Sequence, residues 1–244
     1  MRGVRQIVRF NWPYYAVGTV AVMAASAAAG RVRANAGARA AMEASIALAA
    51  FWIIGSLIAS WLVYDRSELM RWNWIGRVLG RLPASWINIH AGLDESTPAL
   101  RALLGGARGR GLDIFDPLEM SEPSIARARK LARNEFAAEA ADYRRLPVPT
   151  GAIDAALLLL SAHELRTDRA RDGLFTELRR VLVPGGRVVV AEHLRDWPNS
   201  LAFGPGVLHF HSRRTWILTF ERARLAVHSE FSITPFVRVF VLRS

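Results

Sequence analysis

Two stretches of the chain carry no Asp, Glu, Lys or Arg: Phe10 to Gly30 and Ala44 to Tyr64, each 21 residues long. At 1.5 Å rise per residue, either run is long enough to cross a hydrocarbon core of about 30 Å as a helix. Joined by residues 31–43, they predict a transmembrane helical hairpin, 10–30 and 44–64, behind a short N-terminal segment at 1–9. Aromatic residues gather at the outer ends, Phe10, Trp12, Tyr14 and Tyr15 on one side and Trp61, Tyr64, Trp72 and Trp74 on the other, as interfacial anchors do. A cleaved signal peptide competes for the first run, because Arg2, Arg5 and Arg9 form a basic leader. The length of the run, Pro13 and the second span close behind favour a retained helix. Gly18, Ala21, Ala25 and Ala29 make a small-residue face suited to close helix contact.

After a juxtamembrane linker at 65–85, short apolar runs alternate with helical stretches, the pattern of a parallel α/β sheet. Strands are expected at WINIH (86–90), GLDIF (111–115), AALLLLS (155–161), RVVVAEH (187–193) and FVRVFVL (236–242), with another between Leu225 and Ile233. Ser121 to Asn134 reads as a helix with Pro123 in its first turn and Ile125, Ala128 and Leu131 on one face. Thr167 to Val183 reads as a second helix, stopped by the Pro-Gly-Gly turn at 184–186.

Charge sets orientation more than it sets function. Seven arginines flank the outer ends of the hairpin (Arg2, Arg5, Arg9, Arg66, Arg71, Arg77, Arg81) against Arg31, Arg33 and Arg39 in its loop. The positive-inside bias therefore predicts a two-pass protein of the inner (cytoplasmic) membrane with both termini cytoplasmic and the bilayer as partner. The net charge is +11 over 244 residues, yet Lys130 is the single lysine, so the basic balance reflects an arginine-rich composition. Arginines and aromatics do not interleave in any strand-length stretch, and no nucleic-acid partner is expected. With no cysteine, disulfides and thiolate metal sites are excluded.

The block ELRRVLVPGGRVVVAEH at 177–193 resembles the helix, Pro-Gly-Gly turn and fifth strand of class I S-adenosylmethionine-dependent methyltransferases. DYRRLPVPTGAIDAALLLLSAHEL at 142–165 is similar to the acidic residue, Leu-Pro pair and fourth strand of that family. The resemblance covers about residues 86–244 and implies a Rossmann-like seven-stranded sheet with S-adenosylmethionine at the carboxyl ends of its strands. It departs at the turn after the first strand, where the family places a glycine-rich loop and this chain has HAGLDES (90–96), with Gly92 alone. Asp94 and Glu95 would there hold the cofactor's ammonium group, repel its carboxylate, or cap the following helix.

The same resemblance implies Asp116, with Asp113 as runner-up, for the ribose hydroxyls, and Asp142 with Tyr143 beside the adenine. Either of the first two would equally make an Asx turn. His163 and Glu164 follow the fourth strand, and Glu192 and His193 end the fifth, so they are the catalytic candidates, with histidine suited to taking a proton near neutral pH. His209 and His211, two apart, would share one strand face; no metal site is expected from them. Arg213 and Arg214 would cap a helix or meet anionic headgroups.

Two functional classes follow. One is a membrane-anchored methyltransferase acting on a lipophilic or membrane-associated substrate. The other is a catalytically degenerate accessory subunit, a pseudoenzyme packed through its hairpin against a larger membrane protein complex such as a respiratory, photosynthetic or envelope assembly.

Overall fold

A computed structural model describes residues 2–29, 35–92, 94–132 and 138–244. Arg31 and Arg33 of the hairpin loop, Leu93 of the first turn and Asn134 of the expected helix lie outside the described residues. The chain opens with α1 (Arg2–Ala29) and α2 (Ala36–Ser60), the latter carried on by a π-helical turn at Trp61–Arg66, followed by α3 (Trp74–Leu79). Then come β1 (Ser85–His90), α4 (Thr97–Leu103), β2 (Arg108–Asp113), α5 (Pro123–Ala132), β3 (Glu139–Ala140) and β4 (Ile153–Leu159). The chain ends with α6 (Asp168–Val181), β5 (Leu182–His193), α7 (Trp197–Phe203), α8 (Arg213–Arg222), β6 (Ala226–Thr234) and β7 (Val237–Arg243).

The strands form one seven-stranded sheet in the order β3-β2-β1-β4-β5-β7-β6. The first five are parallel, and β7 runs antiparallel between β5 and β6. The order reverses at β1, so the crevice between β1 and β4 opens at their carboxyl ends. One face of the sheet is covered by α5, α6 and α8 around Ile87, Leu158, Phe175, Trp216 and Phe240. The other is covered by Leu69, Trp72, Trp74, Ile75 and Leu79 against Trp86, Leu157, Val189 and Val241.

That second layer corrects the sequence reading at residues 65–85. The segment is a packed lid on the sheet, not a linker, and Trp72 and Trp74 are core residues at 5% and 2% exposure, not interfacial anchors. Val63 and, from α4 and its C-cap, Leu100 and Leu104 complete the same layer. The second strand begins at Arg108, three residues earlier than its hydrophobic pattern indicates, because Gly109 pairs with Trp86 and carries the flat of that ring. The two-residue β3 has no hydrophobic signature; both its residues are exposed.

α1 and α2 pack as an antiparallel pair, but only one helix among the described residues, Ala36–Arg71 with mean hydropathy 2.2, is long and apolar enough to cross a bilayer. The expected pair of transmembrane spans is therefore not supported for α1. Its charge-free run opens with Asn11, Trp12, Pro13, Tyr14 and Tyr15 and continues mostly in alanine, which is uncharged without being strongly apolar. Its half-buried face carries Tyr15, Gly18, Val22, Ala25 and Ala29, whereas Ala21 faces outward. The hairpin is joined to the domain at close range: a Cβ on Gly204 would meet the Trp52 ring at 2.5 Å, and one on Gly55 would lie 3.3 Å from the Ala202 carbonyl oxygen.

Gly109→Ala is expected to destabilise the protein by roughly 1–3 kcal/mol, since overpacking displaces neighbours from their rotamers. The new Cβ would sit 1.8 Å from the buried Trp86 ring. Denaturation of the solubilised full chain measures it, and an unchanged midpoint would contradict the packing of Trp86 on β2.

Candidate functional site

A cavity of about 870 Å³ lies over the carboxyl ends of β1, β4 and β5. Its floor comes from the turns after those strands, including His90, Gly92, Ser161, His163, Glu164 and His193. Its roof comes from the hairpin, with Phe10, Tyr14, Tyr15, Trp52 and Tyr64. Parallel strands bring residues distant in sequence to one edge, and the short turns after them fix the side chains there.

The floor is organised around Glu192, which is 0% exposed. One carboxylate oxygen accepts the amides of Ala162 at 2.7 Å and His163 at 3.2 Å; the other lies 2.7 Å from His163 Nδ1. Glu164 stands 3.5 Å from His163 Nε2. Burial disfavours the His163 imidazolium, but the Glu192 and Glu164 carboxylates outweigh it and push its pKa up to about 10. Burial likewise works against the Glu164 carboxylate, and the His163 charge overcomes it, holding Glu164 below the usual carboxylate range. The two carboxylates thus favour the protonated form of His163, which argues against the general-base role the sequence suggested.

Burial pushes His193 down to about 4. Its Nδ1–H donates to the Phe236 carbonyl at 2.8 Å, so Nε2 carries the lone pair and accepts from the Tyr64 hydroxyl at 3.0 Å. The π-helical turn matters here, because such turns re-aim side chains and Tyr64 lies within this one. His209 is lowered to about 4 by burial and by the His163 charge, and its ring meets that of His163 edge-on at 5.1 Å. His211 points elsewhere, accepting from Arg171 at 3.0 Å and packing on Trp216, so the two histidines do not share a face. The segment Gly204–His209 is a 3₁₀ turn and not a strand, which removes the two-residue periodicity the sequence reading relied on.

At the first turn, Asp94 serves the fold. Its carboxylate accepts the Thr97 amide at 2.9 Å at the start of α4 and the Asn88 side chain at 3.3 Å, so it is neither free to hold an ammonium nor turned to repel a carboxylate. Glu95 faces the hairpin and accepts from Gln6 of α1. Gly92 lines the cavity, and a Cβ there would make ordinary contact with Ile125 and Arg129. His90, missed by the sequence reading, ends β1 with both ring nitrogens buried and without a hydrogen bond, Nε2 lying 3.6 Å from the Asp94 carboxylate, and burial holds its pKa below the ordinary value despite Asp94 and Asp113 nearby. Its place just before the turn is the signal that would have found it.

Asp113 ends β2, accepts the Phe115 amide at 3.1 Å and pairs with Arg129 at 2.6 Å. Asp116 makes an Asx turn to the Leu118 amide at 2.9 Å and lies 3.5 Å from Arg144. Asp142 follows β3 with its side chain 55% exposed, in an Asx turn to Arg144. Tyr143 beside it is a core residue at 2% exposure whose hydroxyl donates to Glu119. All of these follow strand ends on the same edge, yet Asp113, Asp116 and Asp142 stand outside the cavity, which takes in Gly92, Glu95, His163, Glu164 and His193.

Residues 102–190 match the family model described as a methyltransferase domain. No curated protein matches the chain. Among solved structures, a SAM-dependent methyltransferase from Aquifex aeolicus superposes with a TM-score of 0.55 at 16% identity, over 75% of this chain and 92% of that one. The pyocyanin biosynthetic protein PhzM gives 0.53 at 21% identity, over 78% and 59%. Geranyl diphosphate C-methyltransferase from Streptomyces coelicolor A3(2), solved with Mg2+, geranyl diphosphate and S-adenosyl-L-homocysteine, gives 0.50 at 18%, over 72% and 79%. The domain after the hairpin therefore has the class I methyltransferase fold, with its Rossmann-like seven-stranded sheet.

These histidines make stability depend on pH in two directions. His163, raised to about 10, contributes stability that is complete below its unfolded value of about 6.5 and lost as pH rises toward 10. His193 and His209, lowered to about 4, contribute stability present above about 6.5 and lost as pH falls toward 4. Melting temperature should peak near neutrality, and Glu192→Gln should reduce the alkaline loss, leaving the part owed to Glu164, while keeping the acid one. An alkaline limb of unchanged size in Glu192→Gln would show that the His163–Glu192 pair does not contribute to it.

Proposed function

We propose that the protein is an S-adenosylmethionine-dependent methyltransferase, held at a bilayer by α1 and α2, whose lipophilic substrate enters the cavity from the membrane side. The observation that carries this reading is the shared cavity: its floor is the strand-end edge of a methyltransferase fold, and its roof is the aromatic inner face of the hairpin. The outer face of the hairpin exposes Val17, Val20, Met23, Phe51, Ile54 and Ile58. Exposed Trp12 and Trp61 stand at the domain end of that face, with the Arg39–Glu43 ion pair toward its far end. Trp12 to Ala29 rises about 27 Å at 1.5 Å per residue, close to the thickness of a hydrocarbon core. In this arrangement the cavity mouth lies at the membrane surface with both termini cytoplasmic.

S-adenosylmethionine would supply an electrophilic methyl group on a sulfonium centre. At the first turn, the His90 nitrogens, which make no hydrogen bond, and the Gly92 backbone on the cavity wall suit its amino-acid end. Asp113 is placed at the end of β2 to accept ribose hydroxyls once Arg129, itself 33% exposed, releases it, and Asp142, on the same edge, would reach the adenine on leaving its turn with Arg144. The Glu192 and Glu164 carboxylates, partly balanced by His163, favour a cation above them. Tyr64 and His193 would orient the acceptor beneath the aromatic roof.

One observation favours the alternative, an accessory subunit without cofactor: the Asp113–Arg129 pair already satisfies the ribose acceptor. Calorimetric titration of the solubilised protein with S-adenosylmethionine separates the two. Binding is expected, with Asp113→Ala weakening it at least tenfold and Arg129→Ala strengthening it several-fold, in line with the roughly 1 kcal/mol of a partly exposed pair. Absence of binding in both the native chain and Arg129→Ala would leave the accessory role. For the membrane reading, the full chain should float with liposomes and resist carbonate extraction. Replacing Phe51, Ile54 and Ile58 together by serine should release it; a soluble native chain would sink the anchoring.

A further inference from the structure

We propose that His163, Glu164 and His209 form a binding site for a divalent transition-metal ion on the cavity floor, a site that stands whether or not the cavity holds S-adenosylmethionine. One ligand atom from each lies within 4.8 Å of the others. Two imidazoles and a carboxylate are the donor set of open zinc-type sites, in which three protein ligands leave a further position for water or a ligand oxygen. Bonds of about 2.0–2.2 Å place tetrahedral donors roughly 3.3–3.6 Å apart. His163 Nε2 and Glu164 Oε1 already stand at 3.5 Å, and a metal bound between them would displace the proton from Nε2 to solvent. Closing the third side takes a shift of about 1 Å by His209, which ends the 3₁₀ turn at Gly204–His209 and keeps its side chain 28% exposed.

Four further observations point to a ligand here. Glu164 Oε2 is buried without a hydrogen-bond partner, an unmet acceptor on the cavity floor. His163 is oriented as metal-bound histidines are: Glu192 takes Nδ1 at 2.7 Å, leaving Nε2 directed at Glu164, and the carboxylate is itself fixed by two backbone amides. Arg166, the cation that could oppose a metal, is turned onto the carbonyls of His163, Leu208 and His209. Glu122, 3.8 Å from His209 Nδ1, adds a second carboxylate at the rim. The open position faces the cavity, so the metal would hold an oxygen donor of whatever ligand lies under the aromatic roof, a phenolate or enolate being the matching class.

The test uses the full chain in detergent, with any affinity tag removed, and CoCl2 as a spectroscopic probe. One equivalent of Co(II) should bind with visible d–d absorption of low-symmetry nitrogen and oxygen coordination, and ZnCl2 should displace it. His209→Ala should abolish the spectrum, while Glu192→Gln, which removes the carboxylate that orients and charges His163, should weaken binding roughly ten- to a hundredfold. His228→Ala, on exposed β6, should leave it unchanged. Melting curves establish that each variant is folded. Failure of the native chain to bind Co(II), or a spectrum surviving in folded His209→Ala, would overturn the proposal.

Discussion

A carboxylate with no solvent exposure at the end of a central strand has to be neutralised where it stands, and the cavity floor is built by that requirement. Removing an ion from water costs several kcal/mol unless close partners compensate it. Glu192 finds its compensation within one turn of chain: two amides and the ring of His163. Those contacts hold the turn after β4 against the end of β5, and Ser161 ties the same turn to β1 by donating to the Ile89 carbonyl at 2.7 Å. The charge that Glu192 imposes on His163 then spreads to Glu164, His209 and His193. Burial of the floor and the charges of Glu192, Glu164 and His163 together thus bias its protonation.

The hairpin is as much a part of the site as the strands are. Asp65, just past Tyr64, accepts the amides of Gly3 at 3.1 Å and Val4 at 2.9 Å, closing the start of α1 onto the end of α2. Gly3 permits that approach, since a Cβ there would lie 2.4 Å from Tyr64 Cβ. Arg127 of α5 donates to the Phe10 carbonyl, and Gln6 donates to Glu95 in the first turn. The domain-proximal third of α1 is therefore held by polar contacts over the cofactor edge, while the rest of the hairpin projects beyond the domain. The helical hairpin and the strand ends of a methyltransferase fold meet in one cavity, which couples the placement of α1 and α2 to what reaches those strand ends.

Much of the architecture was legible in the chain itself. Charge-free runs marked both hairpin helices and short apolar runs marked six of the seven strands, while the Pro-Gly-Gly segment expected as a turn before a strand at 187–193 lies inside β5, which already starts at Leu182, with Gly185 at φ +75°. The strand-end positions of Gly92, His163, Glu164 and His193 also followed from where the apolar runs stop. These features are local: hydrophobic period, capping residues and turn chemistry act over a few residues, so the sequence carries them without knowledge of the rest of the fold.

Tertiary structure decided the rest, because it turns on which partner each group meets. Whether Asp94 faces a ligand or a helix amide depends on Asn88 and Thr97 closing around it, and whether His163 is base or cation depends on a glutamate 29 residues away. Burial of Trp72 and Trp74 follows from the unoccupied face of the sheet rather than from any membrane depth. Tyr64, His90 and His209 gained their places from a π-helical turn, a strand end and a 3₁₀ turn that bring three distant segments to one cavity. Protonation and ligand geometry are set by distances of a few ångström between such segments, and those distances exist only once the chain has closed on itself.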